Sequence, residues 1–173
     1  EDIDALVKAT VDAFGGISTL VNNVGWGPRH DDPRAITEEE LVDAYKLNTI
    51  SAYRMSMACL PHLEKAKNAS ITNSGSFSSA VPAYDILGYG TAKAALNQMI
   101  HTGAIELARS HRHALCVALH PGTVATRFTA DYAATHDRVE PDQAAANLLG
   151  VIEGLTPAET GGFFDWQGKR VAW

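Results

Sequence analysis

The chain has 173 residues, of which 46% are hydrophobic and 20% charged, and a formal net charge of −6. That length allows one domain with a real buried core, and the composition is ordinary for a soluble globular protein. The acidic balance, with scattered basic residues, leaves no basic face for nucleic acid, and no apolar run approaches the ~20 residues of a membrane span. The opening Glu1-Asp2-Ile3-Asp4 does not read as a secretory signal, so the cytoplasm is the expected compartment. Cys59 and Cys116 both have apolar neighbours and are expected to be core thiols, not parts of a disulfide or zinc framework.

Apolar residues at Ile3, Leu6, Val7, Val11 and Phe14 follow helical spacing, and Gly15-Gly16 stops that helix. Ser18 to Asn23 reads as a short, buried parallel strand. A Gly- and Pro-containing loop runs from Gly25 to Arg34. Thr37, with Glu40 three residues on, has the pattern of a capping box, and the helix it opens is expected to run to about Leu63. Ala69 to Asn73 is the next strand, followed by a Ser- and Gly-rich stretch from Ser74 to Ser79. Gly88 to about Arg109 is a helix, and Ala114 to His120 is a third buried strand that Pro121-Gly122 breaks. Pro141 suits the first turn of a helix to about Gly154, and Thr160 to Asp165 reads as a last strand. Alternating strands and helices argue an α/β fold with an open parallel sheet in a single domain, residues 1–173. The polar punctuation follows each strand, at Asn22-Asn23, Ser74 to Ser79 and Pro121 to Thr123. In open parallel sheets ligands bind beyond the carboxyl ends of the strands, so three strand ends converge on one crevice.

The most specific chemical feature is Tyr89-Gly90-Thr91-Ala92-Lys93. Residues four apart on a helix share a face. A phenol titrates near ~10, too high for efficient proton transfer at neutrality, and a neighbouring ammonium favours the phenolate. YxxxK alone is a weak signal, but it has company. Ser76 lies thirteen residues before Tyr89, just past a strand. Asn48 lies inside a helix, Asn22-Asn23-Val24-Gly25 ends one strand, and Pro121-Gly122-Thr123-Val124-Ala125-Thr126 ends another. His111 and His113 offer no third ligand, so a metal site is not expected. Gly88-Tyr89-Gly90 lacks the serine of a hydrolase nucleophile elbow.

In order and spacing these elements resemble the short-chain dehydrogenase/reductase family, with its NNxG, helix Asn, Ser, YxxxK and PGxxxT motifs, over nearly the whole chain. The resemblance implies a partial Rossmann-like parallel sheet and an NAD(P)-dependent oxidoreductase interconverting an alcohol and a ketone or aldehyde. It gives Tyr89 the proton exchange with the substrate oxygen. Lys93 would activate Tyr89 and hold the nicotinamide ribose, Ser76 would polarise the substrate carbonyl, and Asn48 would position a water in a relay to Lys93. Asn22 and Gly25 match the segment along the adenosine side of the cofactor, which also stabilises the sheet. Pro121, Gly122, Val124 and Thr126 match the segment facing the nicotinamide and its phosphates. Family members commonly pair, so a homodimer or homotetramer is implied. Trp26, Tyr84, Phe128 and Tyr132 are candidates to line an apolar pocket for a small or medium hydrophobic alcohol or ketone.

The chain departs from the family pattern at its start. The strand, TGxxxGxG turn and helix that present backbone N–H groups to a pyrophosphate are missing, as is the strand end that reads the ribose 2′ position. NAD and NADP are therefore both open. Gly15-Gly16 precedes a strand and does not substitute for the turn. The first strand is expected to lack a partner and expose an edge, and a fragment of a longer protein is the preferred explanation. Lys46 to Gln98 resembles hydroxysteroid- and alcohol-type dehydrogenases, whereas Ala118 to Val124 and Gly161 to Trp173 resemble the C-factor branch, which includes proteins linked to cell–cell signalling. Two other readings stay open: a non-catalytic cofactor-binding or signalling protein, and an inactive fragment.

Overall fold

The helical spacing that starts at Ile3 forms α1 (Asp2–Phe14), and it stops where Gly15 adopts a φ of 81°, a left-handed conformation that a residue without a Cβ reaches freely. The computed structural model describes residues 2–81, 84–132 and 137–172, apart from the side chains of Tyr84, Asp131 and Tyr132. β1 (Thr19–Asn22) follows α1. α2 (Glu38–Tyr45) opens on the reciprocal cap legible in the sequence: the Glu40 N–H donates to the Thr37 hydroxyl at 3.2 Å, and the Thr37 N–H donates to the Glu40 carboxylate at 2.9 Å. At Lys46–Ile50 the helix widens into a π turn, with the Ser51 N–H donating to the Lys46 carbonyl, and then continues as α3 (Ser51–Leu63). The one long helix expected from Thr37 to Leu63 is thus two helices joined by a wide turn, and Asn48 sits in that turn. β2 (Ser70–Ser74), α4 (Leu87–Ser110), β3 (Leu115–His120), α5 (Pro141–Gly154) and β4 (Phe163–Asp165) complete the described elements.

The strands form one parallel sheet in the order β1-β2-β3-β4. Asn22 pairs with Asn73, Ser74 with Leu119 and His120 with Asp165. Because all strands run the same way in this register, the segments holding Asn23, Ser76 and Pro121 leave from one edge of the sheet. The fold is α/β with an open parallel sheet, as the alternation of elements implies, and it is partial Rossmann-like, as the family resemblance implies.

Side chains alternate between the two faces along each strand. Leu20, Ile71, Cys116, Ala118 and Phe163 pack with Val7 of α1, Cys59 and Leu63 of α3, and Leu96, Ile100 and Ala104 of α4. Val117, Leu119 and Phe164 face the other way, against Leu148, Val151 and Ile152 of α5. Both cysteines are buried, and burial pushes their thiols up, that of Cys116 to about 11. β1 departs from the buried strand its apolar run suggests. Leu20 is buried, but Val21, on the face opposite α1 and α3, is 58% exposed. α5 covers that face over β3 and β4 and does not reach β1. Among the described residues no helix is long and apolar enough to cross a membrane.

Candidate active site

α4 carries Tyr89 and Lys93 one turn apart on its inner face. Lys93 is only 2% exposed. Full burial is rare for a lysine without an ionic partner, and no carboxylate pairs with this one among the described residues. Its Nζ donates to the Ser74 carbonyl at 2.9 Å and lies 5.6 Å from the centroid of the Tyr89 ring. Burial pushes the Lys93 pKa down to about 8, because the apolar surroundings disfavour the ammonium.

Asn48 is held in the π turn at 1% exposure. Its amide nitrogen donates to the Trp26 carbonyl at 2.6 Å and to the Ala44 carbonyl at 2.8 Å. The second bond takes up a carbonyl of the helix just before the wide turn, and the first ties the loop after β1 to that helix. Its Oδ1 is buried with no partner. A Cβ added to Gly25 would lie 3.0 Å from Asn48 Oδ1 and 3.1 Å from Lys93 Nζ. The amide oxygen and the amine therefore both flank the bare Cα of Gly25, three positions past the end of β1. An unmet acceptor beside an amine with unused donors is a polar cradle of the kind that holds water or hydroxyl groups.

Ser76 caps the short 3₁₀ turn Phe77–Ser79: its hydroxyl oxygen accepts from the Ser78 N–H at 3.2 Å. The hydroxyl proton remains available to a second partner. This turn packs directly on α4, where a Cβ on Gly90 would lie 2.8 Å from the Ser78 carbonyl oxygen. Tyr89 is half-buried. A Cβ on Gly27 would come within 2.6 Å of the Tyr89 Cβ, and the Phe128 ring lies 5.1 Å from the Tyr89 ring.

The segment after β3 turns at Gly122, whose φ is 79°, beneath the Trp166 indole. Val124 forms a parallel bridge with Val139, and the Thr129 hydroxyl donates to the Val124 carbonyl. Pro121 and Gly122 thus start a segment that passes through Val124 and Thr126 and brings Phe128 against Tyr89. Asn22 faces the protein: its amide donates to Asn73 Oδ1 at 2.9 Å and to the Ser56 hydroxyl at 3.2 Å, linking β1, β2 and α3. Of the candidate apolar lining, Trp26 is 49% exposed and Phe128 packs on Tyr89; the side chains of Tyr84 and Tyr132 lie outside the described residues.

Several site residues carried no sequence signal. Thr49 donates its hydroxyl to the Ala92 carbonyl at 2.8 Å, tying the π turn to the turn of α4 that holds Lys93. Gly27 and Gly90 let two loops close on Tyr89. His120, at the end of β3, lies edge-on to Phe77 at 4.2 Å between ring centroids. Burial pushes its pKa down to about 4 against the opposing pull of Asp165 and the Gly75 backbone. The nearest thing to a signal for any of these was the small-residue content around Tyr89, which permits close packing without specifying it.

A family model described as short chain dehydrogenase matches residues 1–137. The chain is 30% identical over 130 residues to a 7alpha-hydroxysteroid dehydrogenase of Clostridium sardiniense, covering 73% of this chain and 48% of that protein. It is 27% identical over 172 residues to C-signal of Myxococcus xanthus, covering 95% of this chain and 98% of that one. The crystal structure of NADPH-bound carbonyl reductase from chicken fatty liver superposes with a TM-score of 0.88 at 28% identity, over 99% of this chain and 69% of the other. The chain spans about half the length of the hydroxysteroid dehydrogenase it matches.

Proposed function

The chain belongs to the short-chain dehydrogenase family, and on that footing we propose that Tyr89, Lys93, Ser76 and Asn48 form the active site of an NAD(P)-dependent oxidoreductase that interconverts an alcohol and a ketone or aldehyde. The observation that carries this reading is the Lys93 amine, buried with no carboxylate partner among the described residues and held by the Ser74 carbonyl beside the Tyr89 ring. Burying an ammonium in this way costs stability, and such costs are characteristically retained at sites of function.

The cradle at Gly25 fits a group with vicinal hydroxyls, such as a nicotinamide ribose: Lys93 offers donors, and Asn48 Oδ1 is an unmet acceptor. Lys93 would hold the ribose hydroxyls; Gly25, whose motif implies the adenosine side, instead flanks Lys93 and Asn48 and would let the backbone approach the nicotinamide ribose; and Pro121, Gly122, Val124 and Thr126 would line the nicotinamide. Asn22 acts by holding the sheet beneath this segment. A bound nicotinamide supplies or accepts the hydride. The protein moves the proton. In the reducing direction, Ser76 donates its free hydroxyl proton to the substrate carbonyl oxygen as a hydrogen bond, while its own oxygen stays fixed by the Ser78 N–H. Tyr89 delivers its phenolic proton to that oxygen, and the adjacent Lys93 charge stabilises the phenolate left behind. A water held by Asn48 Oδ1 would return a proton through Lys93. The Phe128 ring against Tyr89 suits a small or medium hydrophobic carbonyl compound.

Turnover of the activated ketone trifluoroacetophenone with NADH and with NADPH tests this reading, using protein carrying its complete coding sequence. Oxidation of either nucleotide, lost in Tyr89→Phe, supports it; a panel of hydrophobic ketones and alcohols left untouched with both nucleotides would contradict it. A second reading, a cofactor-binding signalling protein, is favoured by the match to C-signal over almost the full length of both chains. It predicts nucleotide binding without turnover.

A further inference from the structure

Tyr89, Lys93 and Asn97 lie at intervals of four on α4 and so share one helix face. Tyr89 and Lys93 have places in the proposed chemistry, and Asn97 has none. It is nonetheless 5% exposed, and a buried amide that the proposed chemistry does not use needs a reason. Its Nδ2 donates to the Ser79 hydroxyl oxygen at 2.8 Å, and the Ser79 hydroxyl donates onward to the Ser76 carbonyl at 2.5 Å. The Ser79 N–H donates to the same carbonyl at 3.0 Å. The direction of this chain is fixed at its start. Because the amide N–H occupies the Ser79 oxygen, the Ser79 proton points to Ser76, and each bond polarises the next.

We infer that Asn97 is a positioning residue, which acts through Ser79 to set the backbone of Ser76 relative to Tyr89. Three links tie the Ser74–Ser79 segment to α4. Lys93 holds the Ser74 carbonyl, Gly90 leaves room for the Ser78 carbonyl to pack closely, and Asn97 holds Ser79 and thereby Ser76. On the opposite side, Gly75 donates its N–H to the Leu119 carbonyl at 2.7 Å, and Phe77 packs on His120. Without the Asn97 link, the two residues flanking Ser76 would still be anchored, but the Ser76 carbonyl would lose the directed Ser79 hydroxyl and keep only the Ser79 N–H to fix the peptide that sets the direction of the Ser76 side chain. The loss should therefore appear in the step that uses Ser76 and leave the nucleotide cradle at Gly25 and Lys93 intact.

This inference rests on the proposed oxidoreductase reading, and its test separates the two. Asn97→Leu removes the link with an apolar side chain of similar size, and Ser79→Ala removes it without altering α4. Each is expected to lower kcat for trifluoroacetophenone about tenfold, consistent with the loss of one or two buried hydrogen bonds, with the NADPH dissociation constant unchanged. The double variant should lose no more than the worse single variant, because both cut one chain. Additive losses, unchanged kcat in both single variants, or a weakened NADPH dissociation constant in Ser79→Ala would overturn the inference. If the wild-type protein turns over no ketone, the oxidoreductase reading fails separately, and amide hydrogen exchange decides this one. Ser79→Ala must then speed exchange at the Ser78 amide while α4 stays protected, and unchanged exchange there overturns it.

Discussion

The Lys93 amine donates to the carbonyl oxygen of Ser74 at 2.9 Å, joining the helix that carries Tyr89 to the strand end that leads to Ser76. Lys93 therefore has a structural partner as well as a proposed catalytic one, and its effects on stability and on turnover depend on pH in opposite directions. Its pKa is about 8 in the folded chain, against ~10.4 for an unperturbed lysine. Between those values the unfolded chain binds more protons than the folded one, so stability rises with pH across that window.

Lys93→Met removes the titrating group. Relative to this variant, the wild-type protein should gain up to about 3 kcal/mol of stability between pH 7 and 11, the linkage expected when a lysine titrates at about 8 folded and at ~10.4 unfolded. Denaturant midpoints of both proteins at a series of pH values would show it. A difference that stays flat across the window would mean that Lys93 titrates normally and is not desolvated as described.

Turnover should move the other way. The ammonium supports the phenolate of Tyr89 and the nucleotide ribose, so the Lys93-dependent part of the rate is expected to decline as pH rises through about 8. A pH–rate profile of kcat/KM in the reducing direction checks this. A rate that keeps climbing well above that pH would remove Lys93 from the proposed role.

Gly27→Ala tests how closely the loop after β1 approaches Tyr89. The added Cβ would lie 2.6 Å from the Tyr89 Cβ and 3.2 Å from its Cα, and α4 cannot yield there as a flexible side-chain tip could. Overpacking of this kind costs about 1–3 kcal/mol. Thermal unfolding of the variant should show that loss together with reduced turnover, whereas full stability would place the loop elsewhere.

The sequence made the elements legible where local chemistry decides them. The Thr37–Glu40 cap, the stop at Gly15 and the buried strand from Leu115 to His120 all fall where composition and spacing put them. It did not make legible what depends on distant partners. The π turn at Lys46–Ile50 contains no Gly or Pro, and the Asn48 amide there meets the Trp26 carbonyl, 22 residues away in sequence. The Asn97–Ser79 bond spans 18 residues. The apolar run of β1 suggested burial on both faces, but covering a strand's second face depends on which helix reaches it, and none reaches Val21. The family motifs picked out Tyr89, Lys93, Ser76 and Asn48 because each must be a particular residue type. The glycines that bring them together only have to be small.

Among the described residues β1 is an outer strand of the sheet, with Val21 and Val24 58% and 60% exposed, so self-association of residues 1–173 is expected, as it is from the pairing common in the family. An unpaired edge presents a row of free N–H and C=O groups to a second chain. Sedimentation at micromolar concentration should show a dimer or larger species, and a strictly monomeric result would count against it.

Residues 1–173 contain no glycine-rich phosphate turn, so this stretch alone is expected to bind NAD(H) or NADP(H) weakly. The nicotinamide half would keep Lys93 and the Pro121–Thr126 segment, while the pyrophosphate would lack its charge-assisted hydrogen bonds, worth roughly 1.5–3 kcal/mol each. Losing two or three of them would weaken binding by several decades. Calorimetry with both nucleotides, compared with protein made from the complete coding sequence, measures the difference. Micromolar affinity in residues 1–173 would show that the phosphates are held by some other means.

Turnover of Tyr89→Phe bears most directly on the proposed active site. The phenylalanine ring would keep the contacts with Phe128 and Gly27 and lose the transferable proton. In protein from the complete coding sequence, with its preferred nicotinamide nucleotide and a hydrophobic ketone, kcat is expected to fall by about 10²–10⁴-fold, the usual contribution of general acid–base catalysis. Nucleotide affinity and unfolding temperature should stay close to those of the wild type. Wild-type turnover in this variant would contradict the assignment of Tyr89 as the proton donor.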